Sequence, residues 1–198
     1  LVNNLPNKIQ AIGKPFSLAE VAEILVKEDA IIGVMRNNSE VGPRALGNRS
    51  IICYPDSMEK KETINKKIKF REWFRPLAPI VQEHRTAIFF DHQISSPFMS
   101  FAHPIKKEIE GMFPAIEHVD KTARLQTVTE KQHKWIFDLL EEINSLTNYP
   151  ILLNTSFNTK GKPLITNSIE GIELLRNTDL THLIVNDKIY CKAQILNL

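Results

Sequence analysis

The sequence predicts an α/β fold in which helices flank an open mixed sheet, and two observations carry that prediction. Apolar residues recur by turns at helical spacing and in strand-sized runs, and these segments interleave without a repeating unit, which favours a mixed sheet over a doubly wound parallel one. The 198 residues are 42% hydrophobic and 24% charged, the balance of an ordinary globular protein. No internal repeat, low-complexity tract or linker divides the chain. Residues 1–198 are therefore read as one domain, with residues 1–30 a candidate junction to a neighbouring one.

The elements follow in order. Ser17-Leu-Ala-Glu20 is a capping-box pattern, and Leu18, Val21, Ala22 and Leu25 then repeat on one face, predicting a helix over 17–28. Residues 31–35 and 51–54 are short apolar runs read as strands, the second closed by Pro55-Asp56-Ser57. The charged stretch 58–68 favours a helix. Strands are predicted at 77–82, 97–102 and 123–128, the last with Leu125 and Thr127 alternating with Arg124 and Gln126. Ile136, Leu139, Leu140, Ile143 and Leu146 mark an amphipathic helix within 130–147. A strand at 151–154, a helix at 168–176 and a closing hairpin of 183–185 with 188–191 around Asn186-Asp187 complete the chain.

Charge argues against one class of function. With 25 basic and 23 acidic residues the net charge is +2, so no global field draws nucleic acid, and anion binding must come from local placement of Arg and Lys. Cys53 and Cys191 lie far apart and form no metal-like spacing, as expected of a reduced cytoplasmic chain. No apolar run has the length of a membrane span, residues 1–15 lack the pattern of a signal peptide, and the absence of an initiating Met is compatible with a piece of a longer chain. The six histidines show no metal-ligand spacing and are expected to be surface or core-satisfying groups.

Four polar clusters hold the chemistry. In Gly42-Pro-Arg-Ala-Leu-Gly-Asn-Arg-Ser50, two glycines permit close backbone approach, and Arg44 and Arg49 offer forks for phosphate or carboxylate; a turn with two solvated arginines fits equally. In Lys69-Phe-Arg-Glu-Trp-Phe-Arg-Pro76, an extended backbone would put Lys69, Arg71 and Arg75 on one face, with Phe70, Trp73 and Phe74 walling them from water. Like charges so placed repel by on the order of a kcal/mol per pair, and an anion would neutralise them. A solvated basic face near a helix end is the alternative, and the interleaved aromatics weigh against it. In His118-Val-Asp-Lys-Thr-Ala-Arg-Leu-Gln126, Asp120 is expected to fix Arg124 by an ion pair rather than to bind a metal. Asn154-Thr-Ser-Phe-Asn158 is a turn or a donor cluster for anions at a strand end.

Taken in this order, the four motifs resemble the O-carbamoyltransferases that decorate nodulation factors and antibiotics, over about residues 33–185. The resemblance is to their carboxy-terminal, YrdC-like domain, and it implies an open sheet with flanking helices and ATP-dependent activation of carbamoyl phosphate to carbamoyl-adenylate. It implies catalytic roles for Lys69, Arg71, Ser156 and Asn158, and phosphate binding by Arg44, Arg75 and Arg124. ATP is the implied cosubstrate, with Mg²⁺ carried mostly by phosphate oxygens and water. An amino-terminal domain of actin-like-ATPase fold, with a His/Asp iron site where carbamoyl reaches its acceptor, is the implied partner; without it no transfer is expected. Two other readings stay open: a threonylcarbamoyl-adenylate synthase using bicarbonate and threonine, and a non-catalytic nucleotide or RNA module stacking bases on the aromatics of 69–75.

Overall fold

A computed structural model describes residues 5–198. Residues 1–4, the start of the expected junction, lie outside the described residues. The first short helix, α1 (Asn7–Ile12), leads to a two-residue strand, β1 (Lys14–Pro15). Helix α2 (Leu18–Lys27) begins with the capping box read from the sequence: Ser17 Oγ accepts from Glu20 N, and the Glu20 carboxylate accepts from Ser17 N. Strands β2 (Ile32–Met35) and β3 (Arg49–Cys53) follow, buried along their whole length.

The charged stretch at 58–68 is helical in two parts. Helix α3 (Met58–Glu62) passes into a π-helical turn, Thr63–Ile68, where the wider coil brings Lys69 N to Ile64 O at 2.8 Å. Strand β4 (Ala78–Gln82) and a 3₁₀ turn, Glu83–Ile88, come next.

Two expected strands differ. Residues 97–102 are turns and irregular backbone, with Met99 at φ 56°; Phe98 and Phe101 stay exposed and give a strand no buried face. The strand expected over 123–128 is broken at Arg124 and Leu125. Its first piece, β6 (Thr122–Ala123), pairs with β5 (His103–Pro104) in a separate ribbon, and its second, β7 (Gln126–Val128), joins the main sheet.

Helix α4 (Lys134–Thr147) starts later than expected because His133 is its cap, accepting from Ile136 N. Strand β8 (Ile151–Ser156) runs two residues beyond the expected end at 154, since Thr155 and Ser156 pair with Ile51 and Ser50. Helix α5 (Ser168–Asn177), the hairpin β9 (His182–Val185) and β10 (Lys188–Cys191), and helix α6 (Lys192–Leu196) close the chain.

The main sheet has eight strands in the order β1-β10-β9-β2-β3-β8-β4-β7. Only β2–β9 and β4–β7 run parallel, so the predicted mixed sheet is the observed one. Helix α2 packs on α4, α4 on β8 and β4, and α5 on β2 and β9. No helix among the described residues is long and apolar enough to cross a membrane. Strand β8 lies between β3 and β4, so Asn154 stands between Ile52 and Ala78 and Ser156 opposite Ser50.

Gly33 on β2 leaves room for Phe157, the first residue after β8: a Cβ there would stand 2.6 Å from Phe157 Cζ and 3.2 Å from Leu183 Cδ1. Both side chains are fully buried and have nowhere to move. Gly33→Val should cost about 1–3 kcal/mol by overpacking and lower the melting temperature by roughly 2–12 °C. An unchanged thermal melt would contradict this account of the β2–β8 packing.

Candidate active site

Three loops and one strand end meet beside the carboxy-terminal end of β8. The 40–49 loop is shaped by Glu40, whose Oε1 accepts from Leu46 N and Asn48 N, each at 2.7 Å. Gly47 adopts φ 128°, and a Cβ there would meet His133 Nε2 at 2.7 Å, so this corner needs glycine on both counts. A buried amide pair secures the loop's inner side. Asn154 Nδ2 donates to Ala45 O at 2.9 Å and to Gln126 Oε1 at 2.7 Å, and Gln126 Nε2 donates to Leu46 O at 3.0 Å. Arg44 is thereby presented to a cleft and Arg49 is not. Arg49 is buried and donates to the carbonyls of Arg36, Asn37 and Asn48, so it holds the loop and offers no fork to a ligand.

The 69–76 segment is not extended. After the π-helical turn it curls back, with Arg71 N on Asn65 O at 2.8 Å and Arg75 N on Glu72 O at 3.2 Å. Lys69 and Arg71 therefore point to two different places rather than sharing a strand face. Phe70, Trp73 and Phe74, expected to wall the site, are 55%, 53% and 62% exposed and line neighbouring grooves instead, because the curl turns them outward.

Lys69 is 3% exposed, and its ammonium reaches four oxygens: Ser156 O at 2.7 Å, Ser156 Oγ at 3.1 Å, Asn158 O at 3.2 Å and Asn158 Oδ1 at 2.7 Å. Ser156 Oγ also donates to Asn158 Oδ1 at 2.7 Å. Burial first, and the Arg71 charge second, push the Lys69 ammonium down to about 7.

Next to this triad lies a cleft of about 190 Å³ lined by Arg44, Arg71, Arg75, Arg124, Thr155 and Ser156, with Met99 and the amide of Asn154. Burial, then Arg75 and Arg124, lower Arg71 to about 10, and burial, then Arg44, lowers Arg124. Arg75 is partly engaged, its Nε donating to Glu72 Oε2 at 3.1 Å. Arg71 Nη2 and Arg124 Nε are buried and have no hydrogen-bond partner among the described residues. No carboxylate lines the cleft.

Asp120 does not pair with Arg124. Its Oδ1 accepts from Thr122 N and Thr122 Oγ1, closing a local turn, and no ion pair joins it to the arginine four residues further on. Among the described residues no three His, Cys, Asp or Glu side chains are grouped so as to hold a metal ion. A magnesium ion held by protein ligands does not fit this cationic cleft.

All seven residues singled out from the sequence thus fall in one region, three on the Lys69 triad and four around the cleft. Sequence reasoning missed Met99, the Asn154–Gln126 pair and Asn65. Asn154 opens the Asn-Thr-Ser-Phe-Asn motif, so a signal for it existed; Asn65 sits unmarked in a run of lysines.

Comparison with known proteins gives a consistent picture. The model of the family described as "Carbamoyltransferase C-terminus" matches residues 22–192. The chain is 40% identical over 171 residues to nodulation protein NolO of Bradyrhizobium diazoefficiens, covering 85% of this chain and 31% of that one. It is 39% identical over 159 residues to nodulation protein U of Sinorhizobium fredii, covering 80% and 28%. The chain spans a third or less of the length of these relatives. Its fold is similar to part of a crystal structure of full-length HypF in the phosphate- and nucleotide-bound form, with a TM-score of 0.58 at 18% identity over 86% of this chain and 25% of HypF.

Between about pH 7 and 10.5 the native chain holds Lys69 neutral while the unfolded chain still binds its proton, so stability rises with pH across that interval. Lys69→Met removes the effect. Wild-type melting temperature should therefore climb relative to Lys69→Met from pH 7 to pH 9 in thermal denaturation, and parallel curves would refute the depressed value.

Proposed function

The chain belongs to the carbamoyltransferase C-terminus family, and from that premise we propose that its cleft binds carbamoyl phosphate and ATP and joins them as carbamoyl-adenylate. One observation carries the reading: Arg44, Arg71, Arg75 and Arg124 come from three separate segments and converge on a small cleft with no carboxylate in its lining. Assembling cations in this way costs free energy that only an anionic occupant returns. The phosphate and nucleotide of the HypF structure supply the same ligand classes in a protein of similar fold.

In this reading water first cleaves carbamoyl phosphate to carbamate and inorganic phosphate. A carbamate oxygen then attacks the α-phosphorus of ATP, the bond from that phosphorus to the oxygen bridging to the β-phosphate breaks, and pyrophosphate leaves with the electron pair. No protein nucleophile is needed, because nucleotidyl transfer depends on positioning and on neutralising charge. Arg44, Arg75 and Arg124 hold phosphates, and guanidinium forks give the bidentate registration an ammonium cannot. Arg71 neutralises charge beside the reacting phosphorus, and an arriving anion draws the Lys69 amine into its charged form so that it adds to that neutralisation. Ser156 and Asn158, fixed by Lys69, orient the carbamoyl group. Magnesium, when bound with the nucleotide, would be held by its phosphate oxygens rather than by residues of this cleft and would supply further charge neutralisation. Transfer to an acceptor, with its iron site, belongs to the portion of the longer relatives that this chain does not span, and residues 1–198 act as the activating domain.

Arg75→Ala and Arg124→Ala should each lower carbamoyl-phosphate-dependent ATP–pyrophosphate exchange by roughly 100-fold or more. Neither should change the thermal melt appreciably. Wild-type exchange driven by bicarbonate and threonine but not by carbamoyl phosphate would overturn the choice of substrate, and unaffected exchange in both variants would overturn the site.

A further inference from the structure

We infer that Asn65 is a positioning residue of the arginine cleft: its carboxamide sets the direction of the Arg71 guanidinium and the curl of the 71–75 turn, and through them the affinity of the cleft for a phosphate-bearing anion. The inference rests on the cleft being the anion site proposed above.

Asn65 has 0% exposure and lies within the π-helical turn at 63–68. The bonds that set the curl are offset by more than the four residues of an α-helix: Lys69 N reaches back to Ile64 O, and Arg71 N to Asn65 O. The carboxamide is used at every hydrogen-bonding position it serves in this fold. Oδ1 accepts from Arg71 Nε at 2.8 Å, while Nδ2 donates to Trp73 O at 2.9 Å and to Arg75 O at 3.0 Å. One side chain thus ties three residues of a five-residue turn that carries two of the four cleft arginines.

The chemistry leaves little choice at this position. Rotating the amide by half a turn would set Nδ2 against the Arg71 donor and the carbonyl oxygen against two carbonyl oxygens. Aspartate offers the acceptor without the donors, leucine offers neither, and glutamine adds a methylene to a site that has no free space at its surface. With Nε occupied by Asn65, Arg71 turns its terminal nitrogens elsewhere. Nη2 is the one left buried without a partner, in a side chain that lines the cleft. Arg75 and Arg124 repel this guanidinium, so an unrestrained Arg71 would swing towards water. The buried amide opposes that swing before any ligand arrives, which is the preorganisation that favours binding.

The test is calorimetric titration of the chain with inorganic pyrophosphate, using wild type, Asn65→Leu, Arg71→Ala and the double variant at one pH and salt concentration. Asn65→Leu should weaken binding about 10–100-fold, the size of a lost hydrogen bond to a charged group. In the Arg71→Ala background the same change should weaken it by less than about 3-fold, because the two residues act as a unit. Equal factors in the two backgrounds would show that Asn65 acts only on general stability, and no effect in the wild-type background would also overturn the inference.

A second measurement does not depend on Asn65→Leu folding. The free wild-type protein should show a slowly exchanging arginine Nε–H resonance that disappears in Arg71→Lys, and its absence would overturn the clamp. Failure of the wild type to bind pyrophosphate would instead overturn the anion site and leave the clamp to be judged by that resonance.

Discussion

The constraint on which this molecule turns is the holding of Lys69, Arg71 and Arg124 close together with no carboxylate of the described residues paired to any of them. Lys69 and Arg71 are substantially buried, Arg124 is half-buried, and each is lowered from its ordinary value by burial first. Such groups would normally be neutralised by carboxylates, as Lys60 is by Asp29 and Asp56 a short distance away in the chain. Around the cleft, neutral oxygens and amides take that part. Four oxygens of Ser156 and Asn158 hold the ammonium, and carboxamides, together with the Glu40 carboxylate spent on backbone amides, hold the loops that bear the guanidiniums. Neutral partners steady a cation without cancelling it, so the field in the cleft is preserved for a ligand.

The sheet makes this arrangement possible. Because β8 is flanked by strands on both sides, its final residues cannot shift register without turning every side chain to the other face. Asn154, Thr155 and Ser156 inherit that rigidity. They serve in turn as anchor for the 40–49 loop, lining of the cleft, and seat for Lys69. The arginines, by contrast, come from loops, each of which needs its own brace: Glu40 and the Asn154–Gln126 pair for Arg44, and Asn65 for Arg71 and Arg75.

What could be read from the sequence divides along the same line. The capping box at Ser17 and Glu20, the amphipathic face of Ile136 to Ile143 and the hairpin around Asn186 are local devices, fixed by residues a few positions apart, and they stand where the spacing puts them. The break at Arg124 and Leu125 was hidden because the partners of the two pieces, at 103–104 and 80–82, are remote in sequence. The π-helical turn left no mark in periodicity, and with it went the curl that exposes Phe70, Trp73 and Phe74. The residues gathered around Lys69 were legible through ordered motifs, whereas Asn65 was not, since a buried amide among lysines looks like one more polar residue on a solvated helix. Asp120 was misread because a carboxylate two residues before Thr122 satisfies itself locally before it reaches a distant cation.

The outer margin of the sheet has a bearing on how the chain behaves in crowded solution. At that margin β1 contributes only Lys14 and Pro15, paired with Ile189 and Lys188. A proline has no amide hydrogen to offer a newcomer, and a lysine brings a charge that resists burial. The hairpin β9–β10 would otherwise present a continuous row of unpaired backbone groups; capped in this way, it gives neighbouring copies a poor template for ribbon-to-ribbon growth.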